Sequence, residues 1–289
     1  MTINPNKMNK DLIDLAKVRR DIDEVDSAIH NLLMKRAELV EGVKKAKSRS
    51  NISTYRPARE AEVLRIRGLK HKGKFPITSL FGVWREIMAA SVAMQQEFTC
   101  AVWHGEDGVF VSIARDHFGA VTPQRSYSKE QGVIDAVLNG SHVVGLLPKP
   151  VSENGANWWI NLYRQKGEKL FVCSSVPFLK SDRRPEALVV SKFAPEQSGD
   201  DVSYLILETD RLLEPEKLRS MFETCNFHLI TTQHATLSGE RGAVFLVLAE
   251  IEGFYAPGSQ LSKDLLTNFD GIIQTVFVGS FPKRFGSTA

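Results

Sequence analysis

The chain has 289 residues and three cysteines, at positions 100, 173 and 225, whose odd number and wide spacing exclude both a disulfide framework and a paired-thiolate metal site, leaving them as core thiols. Its seven histidines form no HExxH, so no metal and no cofactor is expected. The net charge is only +3, but residues 1–97 hold 19 Lys and Arg against 12 Asp and Glu while the remainder holds 18 against 22, so the basic part is one end of the chain. The polar opening "MTINPNKMNK" and an apolar maximum as short as "AVFLVLA" give no membrane span and point to a cytoplasmic protein.

In the first segment, Leu15, Val18, Ile22, Val25, Ile29, Leu32, Arg36, Leu39, Val43 and Ala46 recur at steps of three and four, the pattern of one helix from about Asp11 to Lys47. At ~1.5 Å per residue that helix is about 55 Å long, more than a 97-residue segment covers with its own chain, so a partner helix and an intertwined homodimer are implied. Pro57 opens a second helix to about Leu69, "KHKGKFP" ends it, and Ile77 to about Glu97 forms a third.

Polar groups interrupt these apolar stripes. Arg36 lies on the seam of the first helix, and Lys47, eleven residues on, falls about 20° away on the helical wheel. In the third helix, Leu80, Trp84 and Ile87 give way to Ser91 and Gln95. Taken alone, a seam cation sets helix register. Taken together with Arg59 and Glu60 of the second helix, the four residues suit a cavity for a small ligand bearing carboxylates and a hydroxyl, and no pairing of a nucleophile with a base is among them. Nucleic-acid binding would want cations along an exposed face with stacking aromatics, and here the telling cations are on the seam.

The segments "VRRDIDEVDSAIHNLLMKRAELVEGVKKAK", "YRPAREAEVL" and "LFGVWREIMAASVAMQQ" resemble the all-helical chorismate mutases, over residues 10–97. The resemblance implies an isomerase that rearranges chorismate to prephenate in phenylalanine and tyrosine biosynthesis. By position it makes Arg36 the holder of one substrate carboxylate and Arg19, given by the partner subunit, the holder of the other. Lys47 and Gln95 then meet the ether oxygen, Ser91 lies near a carboxylate, Glu60 accepts the substrate hydroxyl and Arg59 is a neighbouring site arginine. Arg56 stands where many relatives have aspartate.

Past Phe98, "TCAVWHGEDGVFVSIARDHFG" and "SKEQGVIDAVLNGSHVVGLLP" read as strand, helix, helix, strand, and "NWWINLYRQ", "LFVCSSVPF" and "EALVVSKF" as strands. Residues 99–200 resemble a truncated prephenate dehydratase, its first lobe followed by too few residues for a complete second lobe; this is the domain fused behind the mutase in a bifunctional family. That family's Pro-Ile-Glu-Asn-Ser is replaced by Pro148, Lys149 and Pro150, and its Thr-Arg-Phe by Ser203, Tyr204 and Leu205.

Residues 201–285 run strand, helix, strand, strand, helix, strand, the ferredoxin-like order, and resemble the phenylalanine-binding ACT domain. Its Glu-Ser-Arg-Pro motif stands here as Thr232, Gln233, His234 and Ala235, and His234 reads as an ordinary strand histidine. The expectation is a multidomain chorismate mutase with a non-catalytic rear half. The alternatives are a bifunctional mutase and dehydratase, or a non-catalytic helical module binding anions or nucleic acid.

Overall fold

The computed structural model describes residues 5–47, 53–151, 156–239 and 242–286. The chain divides into two units, Met1–Ile52 and Ser53–Ala289.

The described residues of the first unit form one helix, α1 (Pro5–Lys47). With 3.6 residues per turn its apolar positions line up as one stripe, and in the single chain that stripe is uncovered: Val18, Ile22, Val25 and Ile29 are each more than half exposed, and Leu32 and Leu39 are 66% exposed.

The second unit holds α2 (Pro57–Lys70), α3 (Ile77–Ala93), β1 (Cys100–Trp103), α4 (Val109–Phe118), β2 (Gln124–Tyr127), α5 (Glu130–Leu138), β3 (Val144–Pro148), α6 (Trp159–Tyr163), β4 (Phe171–Val176), β5 (Ala187–Ser191), β6 (Asp201–Thr209), α7 (Pro215–Thr224), β7 (Leu229–Gly239), β8 (Gly242–Glu252), α8 (Gln260–Asn268) and β9 (Ile272–Pro282). Pro57 sits in the first turn of α2 with Glu60, and Arg67 and Lys70 in the last, charges that suit the helix dipole. The buried face of α3 is Phe81, Arg85, Met88, Ser91 and Val92. Phe81 and Met88 join Ala61 and Leu64 of α2 in a core with Phe178, against which Phe285 packs, so α2 and α3 share their interior with residues far along the chain.

The nine strands among the described residues form one sheet in the order β2-β1-β3-β5-β4-β9-β6-β8-β7. β1 runs parallel to both β2 and β3, and β5 lies antiparallel between β3 and β4. The joint between the two parts of the sheet is a parallel pairing of β4 with β9 at Val172 and Gly279. There the Gly279 Cα lies so close to Val172 that a Cβ would fall 2.1 Å from its carbonyl oxygen. β6 to β9 with α7 and α8 follow the expected chain order, and their four strands are antiparallel neighbours.

Two readings of the middle segment are corrected. The expected strand, helix, helix, strand contains a further strand, β2, between its helices. Its sequence Gln-Arg-Ser-Tyr carries no apolar alternation because it is an exposed sheet edge, where charge discourages pairing with other chains. The run "NWWINLYRQ" holds the short helix α6 rather than a strand: Trp159 and Leu162, three apart, are buried on one face, and Trp158 Nε1 donates to Pro148 O at 2.8 Å. Cys100 and Cys173 are buried thiols whose pKa values burial pushes up, that of Cys173 to about 12; Cys225 is half-buried. His234 lies in β7, 3.3 Å from Thr232 Oγ1.

Candidate active site

In α1, Arg36 falls on the stripe as the periodicity demands and is half-buried, and Arg19 is exposed. The backbone of Lys47 ends the helix, and its side chain lies outside the described residues.

The remaining candidates are on α2, on α3 and, for Gln95, in the turn after α3, because that helix ends at Ala93 rather than near Glu97 as expected. Glu60, in the first turn of α2, accepts a hydrogen bond from Arg85 Nη1 at 2.7 Å, and the two side chains are 15% and 8% exposed. Burial raises the Glu60 carboxyl, with Arg85 opposing the shift, and burial lowers the Arg85 guanidinium. Aromatic rings and a thioether surround the pair: Arg85 Cζ lies 5.7 Å from the centre of the Phe178 ring, and a narrow cavity beside Glu60 is lined by Tyr55, Met88 and His117. Tyr55 Oη is 3.4 Å from His117 Nε2. Burial drives the tyrosine well above its ordinary value and the histidine well below, so both are neutral at pH 7.

Ser91 and Gln95 are brought together across the end of α3, four residues apart. Ser91 Oγ donates to Ile87 O at 2.6 Å, and Gln95 Nε2 donates to Ser91 O at 2.8 Å, leaving Gln95 Oε1 buried with no hydrogen-bond partner among the described residues. Arg59 turns away to Glu62 at 2.6 Å, and both side chains are at least half exposed. Arg56 pairs with Glu196 at 2.9 Å, which ties the start of α2 to the loop after β5.

The seven residues singled out by sequence did not include Arg85, Tyr55 or His117. The signal for Arg85 was present: Phe81, Arg85, Met88 and Val92 are spaced by four, three and four, so a cation interrupts an apolar stripe just as Arg36 does. No group of three or more potential metal ligands occurs among the described residues. No helix among them is long and apolar enough to cross a membrane.

Residues 18–96 match the family model of chorismate mutase type II. Among curated proteins, the bifunctional chorismate mutase/prephenate dehydratase of Aquifex aeolicus is 32% identical over 163 residues, covering 54% of this chain and 45% of that protein. The protein of the same name from Stutzerimonas stutzeri is 30% identical over 148 residues, covering 49% and 40%. The chain thus spans less than half the length of the curated relatives it matches, and both matches are longer than the helical segment. A solved structure, the prephenate dehydratase from Streptococcus mutans, superposes with a TM-score of 0.47 at 16% identity over 64% of this chain and 97% of that one. The helical order, the polar breaks in apolar stripes and the model match agree on one identity for the front of the molecule: residues 18–96 are a chorismate mutase type II domain, followed by a mixed α/β region.

Proposed function

We propose that the chain is an isomerase rearranging chorismate to prephenate in aromatic amino acid biosynthesis, within a mutase domain at residues 10–97. The match of residues 18–96 to the mutase family carries this reading. The rearrangement breaks one carbon–oxygen bond as a carbon–carbon bond forms within one molecule, so it needs neither a nucleophile nor a proton carrier. It needs the reactive conformer held and donors placed where charge grows on the ether oxygen. Arg36 and, from a second copy, Arg19 fork the two carboxylates, with Ser91 and Arg59 beside them; Lys47 and Gln95 donate to the ether oxygen; Glu60 accepts from the hydroxyl. The uncovered stripe of α1 supports a homodimer in which the helices bury that stripe together. Loss of chorismate absorbance tests the activity. Mixing Arg19→Ala with Arg36→Ala chains tests the shared site, because one of the two sites in the heterodimer regains both arginines. No loss of chorismate with folded wild type would overturn the reading.

For the rear half, we take residues 99–200 as prephenate dehydratase-like and 201–285 as a ferredoxin-like, ACT-like domain. The curated relatives, both named as bifunctional and matching beyond the helical segment, favour a bifunctional mutase and dehydratase over a non-catalytic rear half. Against it stand Ser203 and Tyr204, both engaged within the fold: Ser203 Oγ donates to Gly253 O at 2.8 Å and Tyr204 Oη donates to Glu250 at 3.3 Å. Enzymatic phenylpyruvate formation from prephenate, above the no-enzyme control at neutral pH, decides for the bifunctional reading, and its absence in an active mutase decides against it.

A further inference from the structure

We propose that Arg65 of α2 is a positioning residue for the mutase site, which makes the rear half of the chain a working part of the mutase. The inference rests on the mutase reading above. It starts from what Arg65 holds: its side chain is 15% exposed, and both terminal nitrogens donate to groups in the rear half. Nη1 donates to Ser198 O at 3.0 Å and to Ser198 Oγ at 2.9 Å, and Nη2 donates to Asp200 O at 2.5 Å and to Lys283 O at 3.0 Å. Asp200 is the residue before β6 and Lys283 the residue after β9. One guanidinium thus grips the points where the chain enters and leaves the ferredoxin-like strands. The Asp200 carboxylate is 4.0 Å away and 58% exposed, so the ion pair adds little and the backbone carbonyls carry the contact.

The part that is gripped is itself braced. The buried Asp201 carboxylate accepts from Ser198 N at 2.8 Å, Gly199 N at 3.1 Å and Ser198 Oγ at 2.6 Å, which fixes the turn presenting these acceptors. Lys283 N donates to Asp200 O at 2.9 Å, joining the two ends of the strands directly. Arg56, at the start of α2, holds Glu196 of the same β5–β6 connection at 2.9 Å. Arg56 and Arg65 are about 13 Å apart along the helix axis, so this connection is tied to α2 at two separated points. Two ties and the core that Ala61 and Leu64 share with Phe178 set the rotation and the height of α2.

Glu60 lies between the two ties. Its carboxylate is held by Arg85 at 2.7 Å, and Arg85 and Arg65 bring their Cζ atoms to 5.7 and 5.8 Å from the centre of one ring, that of Phe178. Loosening Arg65 lets α2 turn and Phe178 shift, and both movements carry the Glu60 carboxylate away from the substrate hydroxyl it is proposed to meet. Misplacement by about 1 Å is enough to slow a reaction on the order of a hundredfold. Lysine cannot replace this arginine, because a single nitrogen on a flexible stem does not span the acceptors that the planar fork reaches together.

The test follows chorismate loss with the full chain, comparing wild type, Arg65→Lys, Glu60→Gln, Arg65→Lys/Glu60→Gln and Asp201→Asn, each with a thermal melt to show that it is folded. Arg65→Lys should lower kcat by about tenfold and leave KM within about twofold, since the reactive arrangement rather than binding is disturbed. On the Glu60→Gln background the same substitution should cost less than about twofold, because its effect passes through that carboxylate. Asp201 has no hydrogen bond to α2 among the described residues, yet Asp201→Asn should lower kcat by about threefold by loosening the turn that Arg65 grips. Should Arg65→Lys not fold, Asp201→Asn decides alone. Wild-type kcat in either folded variant, or an equal loss from Arg65→Lys on both backgrounds, would overturn this inference while the mutase reading stands. Wild type that consumes no chorismate would remove both.

Discussion

Arg85 of α3 reaches across to Glu60 of α2 at 2.7 Å, a buried cation holding the carboxylate proposed to receive the substrate hydroxyl. Removing one member of such a pair strands a charge, so Arg85→Leu should cost about 3–5 kcal/mol of stability. The double variant Glu60→Leu/Arg85→Leu should recover at least half of that loss, since apolar pairs of similar volume replace buried ion pairs well. Urea unfolding of wild type, both single variants and the double variant measures the coupling; additive losses would show that the pair does not act as a unit.

His117 gives the fold a sensitivity to acid. Its folded value is depressed by burial first and by Arg85 second, so below the ordinary histidine value the unfolded chain takes up a proton that the native state refuses. The stability supplied by neutral His117 is present above about pH 6.5 and should fall by about 1.4 kcal/mol per pH unit below it. Glu60, whose carboxyl is raised, works in the opposite sense, losing stability as pH rises through its range. Comparing wild type with His117→Gln isolates the histidine: the variant should show a flatter loss between pH 6.5 and 5, and parallel curves would reject the assignment.

Two glycines should respond to alanine in opposite ways. Gly82 lies inside α3 with nothing within 4 Å of a Cβ, so Gly82→Ala should stabilise by about 0.5–1 kcal/mol through helix propensity. Gly279 lies against the Val172 backbone, which cannot swing aside as a side chain does, and Gly279→Ala should destabilise by about 3 kcal/mol or more. Thermal melts of the two variants read the difference directly.

On the proposed mutase reading, catalysis should be nearly level from about pH 6 to 9, because Gln95 is a neutral donor and no general acid and base pair is at work. Lys47→Ala should cost on the order of 3 kcal/mol in the barrier. Gln95→Glu should work best in acid, where its carboxyl is protonated and donates to the ether oxygen instead of repelling it. The pH dependence of kcat/KM for wild type and Gln95→Glu checks this, and superimposable profiles would remove Gln95 from the ether oxygen.

Local periodicity determined much of this protein by sequence alone. The three front helices, with Arg36 on the stripe of α1, and the six elements from β6 to β9 were legible, because 3.6-residue and two-residue alternations are set by neighbours in the chain. Ser91 and Gln95 meet across the end of α3, four residues apart, a contact local enough for spacing to encode. Tertiary structure decided what depends on distant partners. β2 is polar and becomes a strand because β1 offers it an edge, and α6 winds because Trp158 and Trp159 have a core to enter. Gly279 meets Val172, Arg85 meets Glu60, and Arg284 meets Glu186 98 residues away, through contacts that no spacing encodes. Such pairings follow from which buried charges and backbones the packed layers bring face to face, and a charged residue's partner is fixed only once its alternatives, water above all, have been excluded.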